Sequence, residues 1–282
     1  MRLPSRLHYH LGLAFGVLRS YGGKGGSVTR IVAGEFGGRQ LAVPAKGTRP
    51  TSDRVREALF SKLEHDGCVA GANVLDLFSG SGALGLEAVS RGARQATLVD
   101  SARDAVKVAT ENVKALGVPD RVRVVSDDAE RYTAAMCRAG GLAGANLRIA
   151  PADGNPALQA ALAQQAANRA VNLVLMDPPY DYSEADLTKV LGNLVRTGLL
   201  VQGAVIVVER SNRSPEPTWP FGLASIGKKT YGETAVYFAE PVNAPELPAP
   251  AHAPPAPSVS LEPSAAITQA EPDDGPKVEF RC

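Results

Sequence analysis

The sequence predicts an α/β domain with a mainly parallel sheet, and three observations carry that expectation. First, five short β-branched runs, at 73–78 (NVLDLF), 95–100 (QATLVD), 121–126 (RVRVVS), 171–177 (VNLVLMD) and 203–209 (GAVIVVE), have the length and composition of buried strands. Second, apolar residues at three- and four-residue spacing over 82–91, 102–116, 128–138 and 183–195 put helices in the gaps, and strands alternating with helices make a βαβ series. Third, 282 residues with 44% hydrophobic and 21% charged composition supply one ordinary core plus tails, which excludes a collagen-like, disulfide-scaffold or wholly disordered chain.

Taken in order, residues 1–28 end in Tyr21-Gly-Gly-Lys-Gly-Gly-Ser27 and read as a flexible leader. The apolar stretch 11–18 follows Arg2 and Arg6 but is too short, and lacks a cleavage site, for a signal peptide. No run approaches the ~18 apolar residues of a membrane span. Residues 30–43 (RIVAGEFGGRQLAV) read as a small hairpin with glycines at its turn, and Thr51-Ser52-Asp53 offers an N-cap for a helix through Glu64. Together, 29–64 form an extension ahead of the main domain at 65–240. In the helix of that extension Val55, Leu59 and Leu63 share one face, and Arg49, Arg54 and Arg56 are read as pointing elsewhere, away from it.

Within the main domain, 139–170 is rich in Ala, Gly and Gln and reads as a variable insertion, a loop in its first half and helical in its second. After Glu209 the helical pattern stops; 221–228 and 234–240, around Tyr231-Gly232, read as a hairpin closing one edge of the sheet with antiparallel strands. Residues 241–282 hold 10 of the 21 prolines and read as a disordered tail.

Net charge is +1, but it is segregated: the first 64 residues carry 11 Lys and Arg against 4 Asp and Glu. Such a basic front can meet phosphates although the total is near zero. The three cysteines, Cys68, Cys137 and Cys282, have no metal-ligand spacing, so no metal is expected.

Two motifs carry chemistry. In Asp76-Leu-Phe-Ser-Gly80-Ser-Gly82-Ala-Leu-Gly85 the glycines spell GxGxxG between a strand and a helix, and Asp100 ends the next strand 20 residues after Gly80. That is the pattern of a Rossmann-like nucleotide site: glycines permit a tight turn and close ligand approach, and the distant carboxylate accepts bonds from ribose hydroxyls. Asp76, beside the loop, would repel a pyrophosphate and attract an ammonium or sulfonium, which favours S-adenosyl-L-methionine over a nicotinamide. Asp127-Asp128, after the third strand, fits an acidic contact to the adenine amino group, and a helix N-cap explains Asp127 equally well.

The second motif, Asp177-Pro178-Pro179-Tyr180, ends the fourth run, where open α/β sheets bind ligands. Its prolines hold the Asp177 side chain and the Pro178 carbonyl rigidly. Two such acceptors can grip the two N–H bonds of an exocyclic amine, and Tyr180 offers a ring on which an extruded base can stack.

With these residues, the stretch from about Thr29 to Glu240 resembles the RsmD family. The resemblance rests on Arg30-Ile-Val-Ala-Gly34, Arg49-Pro-Thr-Ser-Asp-Arg-Val-Arg-Glu57 with Phe60, the Asp76–Ala88 stretch, Asp177-Pro-Pro-Tyr180 and Tyr231-Gly-Glu-Thr234. It implies a class I S-adenosylmethionine-dependent methyltransferase fold with a seven-stranded sheet, and an enzyme that methylates the N2 amine of guanine 966 in 16S rRNA. Its implied partner is the 30S subunit or a late assembly precursor, met by a cytoplasmic monomer. By the same resemblance Asp76, Gly80, Gly82 and Asp100 contact the cofactor, Asp177 and Pro178 grip the amine, and Tyr180 stacks the base. Arg49, Arg54 and Arg56 fall in the family's amino-terminal extension, with RNA or cofactor-lid contacts implied. Relatives begin at residues matching Thr29-Arg30-Ile31, so translation is expected to start at Val28.

Two rival functions remain open on the sequence. A DNA adenine-N6 methyltransferase shares the glycine loop and DPPY but normally needs a larger target-recognition region. A non-catalytic rRNA-binding assembly module has no use for the Asp177–Tyr180 turn.

Overall fold

The computed structural model describes residues 28–45, 52–147 and 168–242. The expected leader (1–28, apart from Val28), Arg49 and the expected Pro-rich tail from 243 onward lie outside the described residues.

Each apolar run forms a strand, since β-branched side chains fit a surface buried on both faces. They are β3 (Asn73–Leu77), β4 (Gln95–Asp100), β5 (Val122–Ser126), β6 (Val171–Met176) and β7 (Leu200–Ser211), joined in parallel. A final hairpin, β8 (Leu223–Tyr231) and β9 (Thr234–Pro241), is antiparallel, with β9 inserted beside β7. The resulting seven-stranded order is β5-β4-β3-β6-β7-β9-β8. The order reverses between β3 and β6, so the loops after these two strands open a crevice at their carboxyl ends.

Side chains alternate across this sheet into two cores. Leu173, Leu175, Val205 and Val207 face α1 (Asp53–His65), α2 (Ala83–Ser90) and α3 (Arg103–Leu116). Val174, Met176, Ile206 and Val208 face α4 (Ala129–Leu147) and α5 (Glu184–Arg196). Each fully buried Leu or Ile in these layers contributes roughly 1.5–3 kcal/mol of transfer free energy. One expectation is corrected here: α4 continues to Leu147, through the stretch read as a loop. Three alanines and two leucines over 139–147 favour helix strongly enough to carry its three glycines.

The extension begins with a separate two-stranded hairpin, β1 (Val28–Arg30) and β2 (Gln40–Ala42), followed by α1, which Ser52 caps by accepting the Val55 N–H. Glu87 of α2 locks it to the domain. Its fully buried carboxylate accepts the backbone N–H groups of Val32 (2.7 Å) and Ala33 (3.0 Å) and the Arg91 Nε–H (2.7 Å). Arg91 also reaches Glu57 and Glu64 of α1, both at 2.6 Å.

Arg56 joins the same network, which corrects its reading as an outward-facing residue. It is fully buried, donates through Nη2 to the Arg30 carbonyl (2.6 Å) and Asp53 (2.8 Å), and places Nε 3.6 Å from Glu87. The physical reason is periodicity: Arg56 is three, four and seven residues before Leu59, Phe60 and Leu63, all buried, so the helix turns it inward with them. Arg54, by contrast, is exposed.

Candidate active site

The glycine loop is held open by two carboxylates. Gly80 adopts φ +55°, where a side chain would be strained, and its N–H donates to Asp100 Oδ2 at 2.8 Å. Asp100 Oδ1 accepts the Ala102 N–H (2.8 Å) at the start of α3. A carboxylate offers about four lone-pair sites, so Asp100 is fixed in place with acceptor capacity left over. Gly85 answers a different need: a Cβ there would lie 2.3 Å from Leu98 Cδ2, so α2 could not approach the sheet.

Phe78, between β3 and the loop, also lies in the left-handed region, at φ 63°. For a bulky residue that conformation costs of order 1–3 kcal/mol and persists only where the surroundings impose it. Its ring packs edge-on against Tyr182, centroids 4.8 Å apart, and turns toward the crevice. Sequence reasoning missed it because nothing in the letters Leu-Phe-Ser announces a positive φ.

The crevice is a cleft of ≈ 390 Å³. Gly80, Asp100, Asp128 and Asp177 all line it, together with Phe78 and Arg103, so four of the residues predicted for cofactor or substrate meet there. Asp128 Oδ1 also accepts from the N–H groups of Glu130 (2.9 Å) and Arg131 (3.1 Å), so Asp128 is the helix cap, the role proposed for Asp127. Two predicted contacts are elsewhere. Gly82 is the N-cap of α2, where an added Cβ would meet Leu98 Cδ1 at 2.7 Å, and Asp76 is buried beneath the loop, with 1% exposure. Both shape the cleft from behind.

Asp76 Oδ2 accepts the Gly85 N–H at 2.9 Å, while Oδ1 is buried with no hydrogen-bond partner among the described residues. Burial above all, then the neighbouring Asp177 and Asp100 charges, pushes this carboxyl up to about 8. The lining itself carries Asp100, Asp104, Asp127, Asp128 and Asp177 against Arg103. A cleft with these carboxylates suits a ligand bearing sulfonium and ammonium charges and would repel a pyrophosphate. The donor set therefore fits S-adenosylmethionine, with Asp100 for the ribose hydroxyls and the carboxylates for the cationic end.

Asp177 and Pro179 line a second pocket of ≈ 230 Å³ on the other side of the same turn, with Pro178, Tyr180, Glu209, Arg210, Ser211 and Thr234. The three predicted catalytic residues, Asp177, Pro178 and Tyr180, are thus brought to one place. Pro178 is buried and Tyr180 is 77% exposed, a ring presented to solvent. The turn is tied down by the Tyr182 N–H donating to the Pro179 carbonyl (2.9 Å) and by Arg210 Nη2 donating to the Tyr182 carbonyl (3.4 Å). Glu209, Arg210 and Ser211 were not singled out from the sequence as site residues. They end β7, which reads only as a buried strand, and nothing local distinguishes a strand end that meets a pocket. Thr234 entered only as part of the Tyr231–Thr234 motif.

A doubly wound sheet of this order, with an acidic nucleoside cleft beside an Asp-Pro-Pro-Tyr pocket, defines a class I S-adenosylmethionine-dependent methyltransferase. The family model described as "Conserved hypothetical protein 95" matches residues 29–142 and 152–240. The chain belongs to that family, the RsmD family. "Ribosomal RNA small subunit methyltransferase D" of Escherichia coli K12 is 32% identical over 212 residues, covering 75% of this chain and 89% of that protein. YlbH of Bacillus subtilis is 31% identical over 208 residues, covering 73% and 96%. Among solved structures, a hypothetical protein of Thermus thermophilus superposes with a TM-score of 0.54 at 30% identity, covering 76% of this chain and 99% of that one. The structure of yhhF from Escherichia coli gives the same TM-score and identity, covering 76% and 98%. Among the described residues no helix is long and apolar enough to cross a membrane.

Proposed function

We propose that this chain methylates the exocyclic N2 amine of guanine 966 in 16S rRNA, acting as a cytoplasmic monomer on the 30S subunit or a late assembly precursor. The observation that carries the reading is the shared wall: Asp177 and Pro179 line both the acidic cleft and the second pocket, so the two cavities adjoin at the DPPY turn. The printed name of the Escherichia coli relative supports small-subunit rRNA as substrate.

S-adenosylmethionine, when bound, supplies an electrophilic methyl group on a sulfonium. The chain's own residues do the rest. Asp100 holds the ribose hydroxyls with the acceptor capacity that Gly80 and Ala102 leave, and the second oxygen of Asp128 serves the adenine amino group. Asp76 and Gly82 act from beneath, keeping the loop in shape. In the neighbouring pocket the exposed Tyr180 ring stacks a base swung out of its helix. The Asp177 carboxylate and the Pro178 carbonyl accept the two N–H bonds of the amine, turning its lone pair toward the cleft. That amine becomes strongly acidic only as it is alkylated, so its proton passes to Asp177 or to water without a base of matched pKa. Arg54, and Arg49 with it, meet the RNA backbone.

The test is methyl transfer to small subunits isolated without this modification, followed by mass spectrometry of the nucleosides. N2-methylguanosine is expected; N6-methyladenosine in DNA, or no transfer, would overturn the reading.

A further inference from the structure

We infer that Glu209 reads the Watson–Crick edge of the target base and makes the pocket select guanine over other amino-purines, an inference that rests on the function proposed above. Met176 of β6 pairs with Val208 of the parallel β7, so Asp177, the first residue past β6, follows beside Glu209, which is still within β7 and paired with Val236 of β9; one strand spacing is ~4.8 Å. Leu175 and Val207, two residues earlier, face the same core; the period of two puts Glu209 on that face of β7, and the turn after β6 brings Asp177 to the same pocket. Both line the ≈ 230 Å³ pocket, and Glu209 is 8% exposed. Arg210, the next residue, also lines the pocket, and its guanidinium meets the Tyr182 carbonyl and Glu184 (3.9 Å) and so secures the turn.

Two adjacent acceptors match one feature of guanine. Its edge carries two neighbouring donors, N2–H and N1–H. With Asp177 on the amine that reacts, Glu209 falls opposite N1–H. Adenine and 2-aminopurine present a lone pair at N1, which would face the carboxylate of a mostly buried Glu209. Sites built this way reject the mismatched analogue because a buried polar group is left unpaired or repelled. Glu209 is therefore a specificity-determining residue, with Asp177 retaining the reacting amine.

The experiment uses the full chain and RNA carrying either guanine or 2-aminopurine at the target position; 2-aminopurine keeps the 2-amine, replaces N1–H by an acceptor and also lacks O6, so the N1 contact is read from the change in the ratio between wild type and Glu209→Gln. For the wild-type protein, kcat/KM for guanine is expected to exceed that for 2-aminopurine roughly 10- to 100-fold, the discrimination of one good edge contact. In Glu209→Gln, whose amide can donate to N1, the two substrates are expected within a few-fold, and 2-aminopurine fluorescence should report tighter capture of the unstacked base. A structural role for Glu209 would lower both substrates equally and keep the ratio, and that result overturns the inference. Glu209→Asp, which keeps the charge, should keep the preference for guanine; losing it would count against the assignment as well. Should the Gln variant not fold, inosine-containing RNA, which keeps N1–H and lacks the amine, is expected to compete with wild-type substrate more strongly than 2-aminopurine RNA; equal competition overturns the contact. Absence of N2-methylguanine from the wild-type reaction would instead bring down the proposed function, and this inference with it.

Discussion

The cleft beside Gly80 and the pocket beside Glu209 share Asp177 and Pro179 but are assembled in opposite ways. The cleft is made by the loops that follow β3, β4, β5 and β6, with backbone N–H groups pinned by carboxylates: Gly80 to Asp100, Gly85 to Asp76, Glu130 and Arg131 to Asp128. Its charged lining residues are acidic except for Arg103, which favours a cation. The pocket is made by the ends of β6, β7 and β9, and its lining mixes Asp177 and Glu209 with Arg210, Ser211 and Thr234. That mixture suits a neutral, hydrogen-bonding partner such as a base. Charge holds the donor; edge geometry chooses the acceptor.

The strongest way to break this division is Asp177→Ala, because the residue belongs to both sides. If its main task is the amine, turnover should fall roughly 10²- to 10⁴-fold. Affinity for S-adenosylmethionine, measured by calorimetry, should stay within a few-fold. Cofactor affinity collapsing in step with turnover would place Asp177 on the cleft side and undo the comparison.

How far each region was legible in the sequence follows from the same difference. The cleft leaves its signature in three separate stretches of letters: Gly80 of the GxGxxG run, Asp100 20 residues on, and Asp177 and Pro179 of DPPY all line it. Their exact duties did not show, because Asp76 and Gly82 work behind the lining and only packing against Leu98 reveals it. In the pocket the DPPY turn is plain in the letters, but the strand ends that complete it leave no local pattern, so Glu209 and Arg210 read as the tail of a buried run. Arg56 was misjudged for another reason. A charged letter is presumed exposed, yet its spacing from Leu59, Phe60 and Leu63 already placed it on the buried face, where Asp53 and Glu87 offset its desolvation.

On the cleft side, Asp76 gives a prediction of intermediate size. Its folded carboxyl titrates near 8 against 3.8 ordinarily, so the folded state holds a proton that the unfolded chain releases. Stability should therefore fall as pH rises from about 4 through 8 in the cofactor-free protein, by up to a few kcal/mol, and level off above that. Asp76→Asn keeps an acceptor for the Gly85 N–H and removes the titration, so its denaturation midpoints should show a shallower decline across that window. Parallel profiles for the two proteins would mean that Asp76 does not carry the uncompensated charge.

The smallest effect separates the two regions from outside. Arg54 is exposed on α1, whereas Arg56, two residues on, is sealed in the network that clamps the extension to α2. If Arg54 serves the RNA side alone, Arg54→Ala should leave the melting temperature and cofactor affinity essentially unchanged. It should weaken RNA binding only a few-fold at moderate salt and lower the slope of log affinity against log salt by about one, as the loss of a single phosphate contact requires. Filter binding across a salt series measures this directly. A variant that weakened S-adenosylmethionine binding with an unchanged salt slope would instead make the extension a lid over the cleft. The basic front of the chain would then act on the donor side of the shared turn.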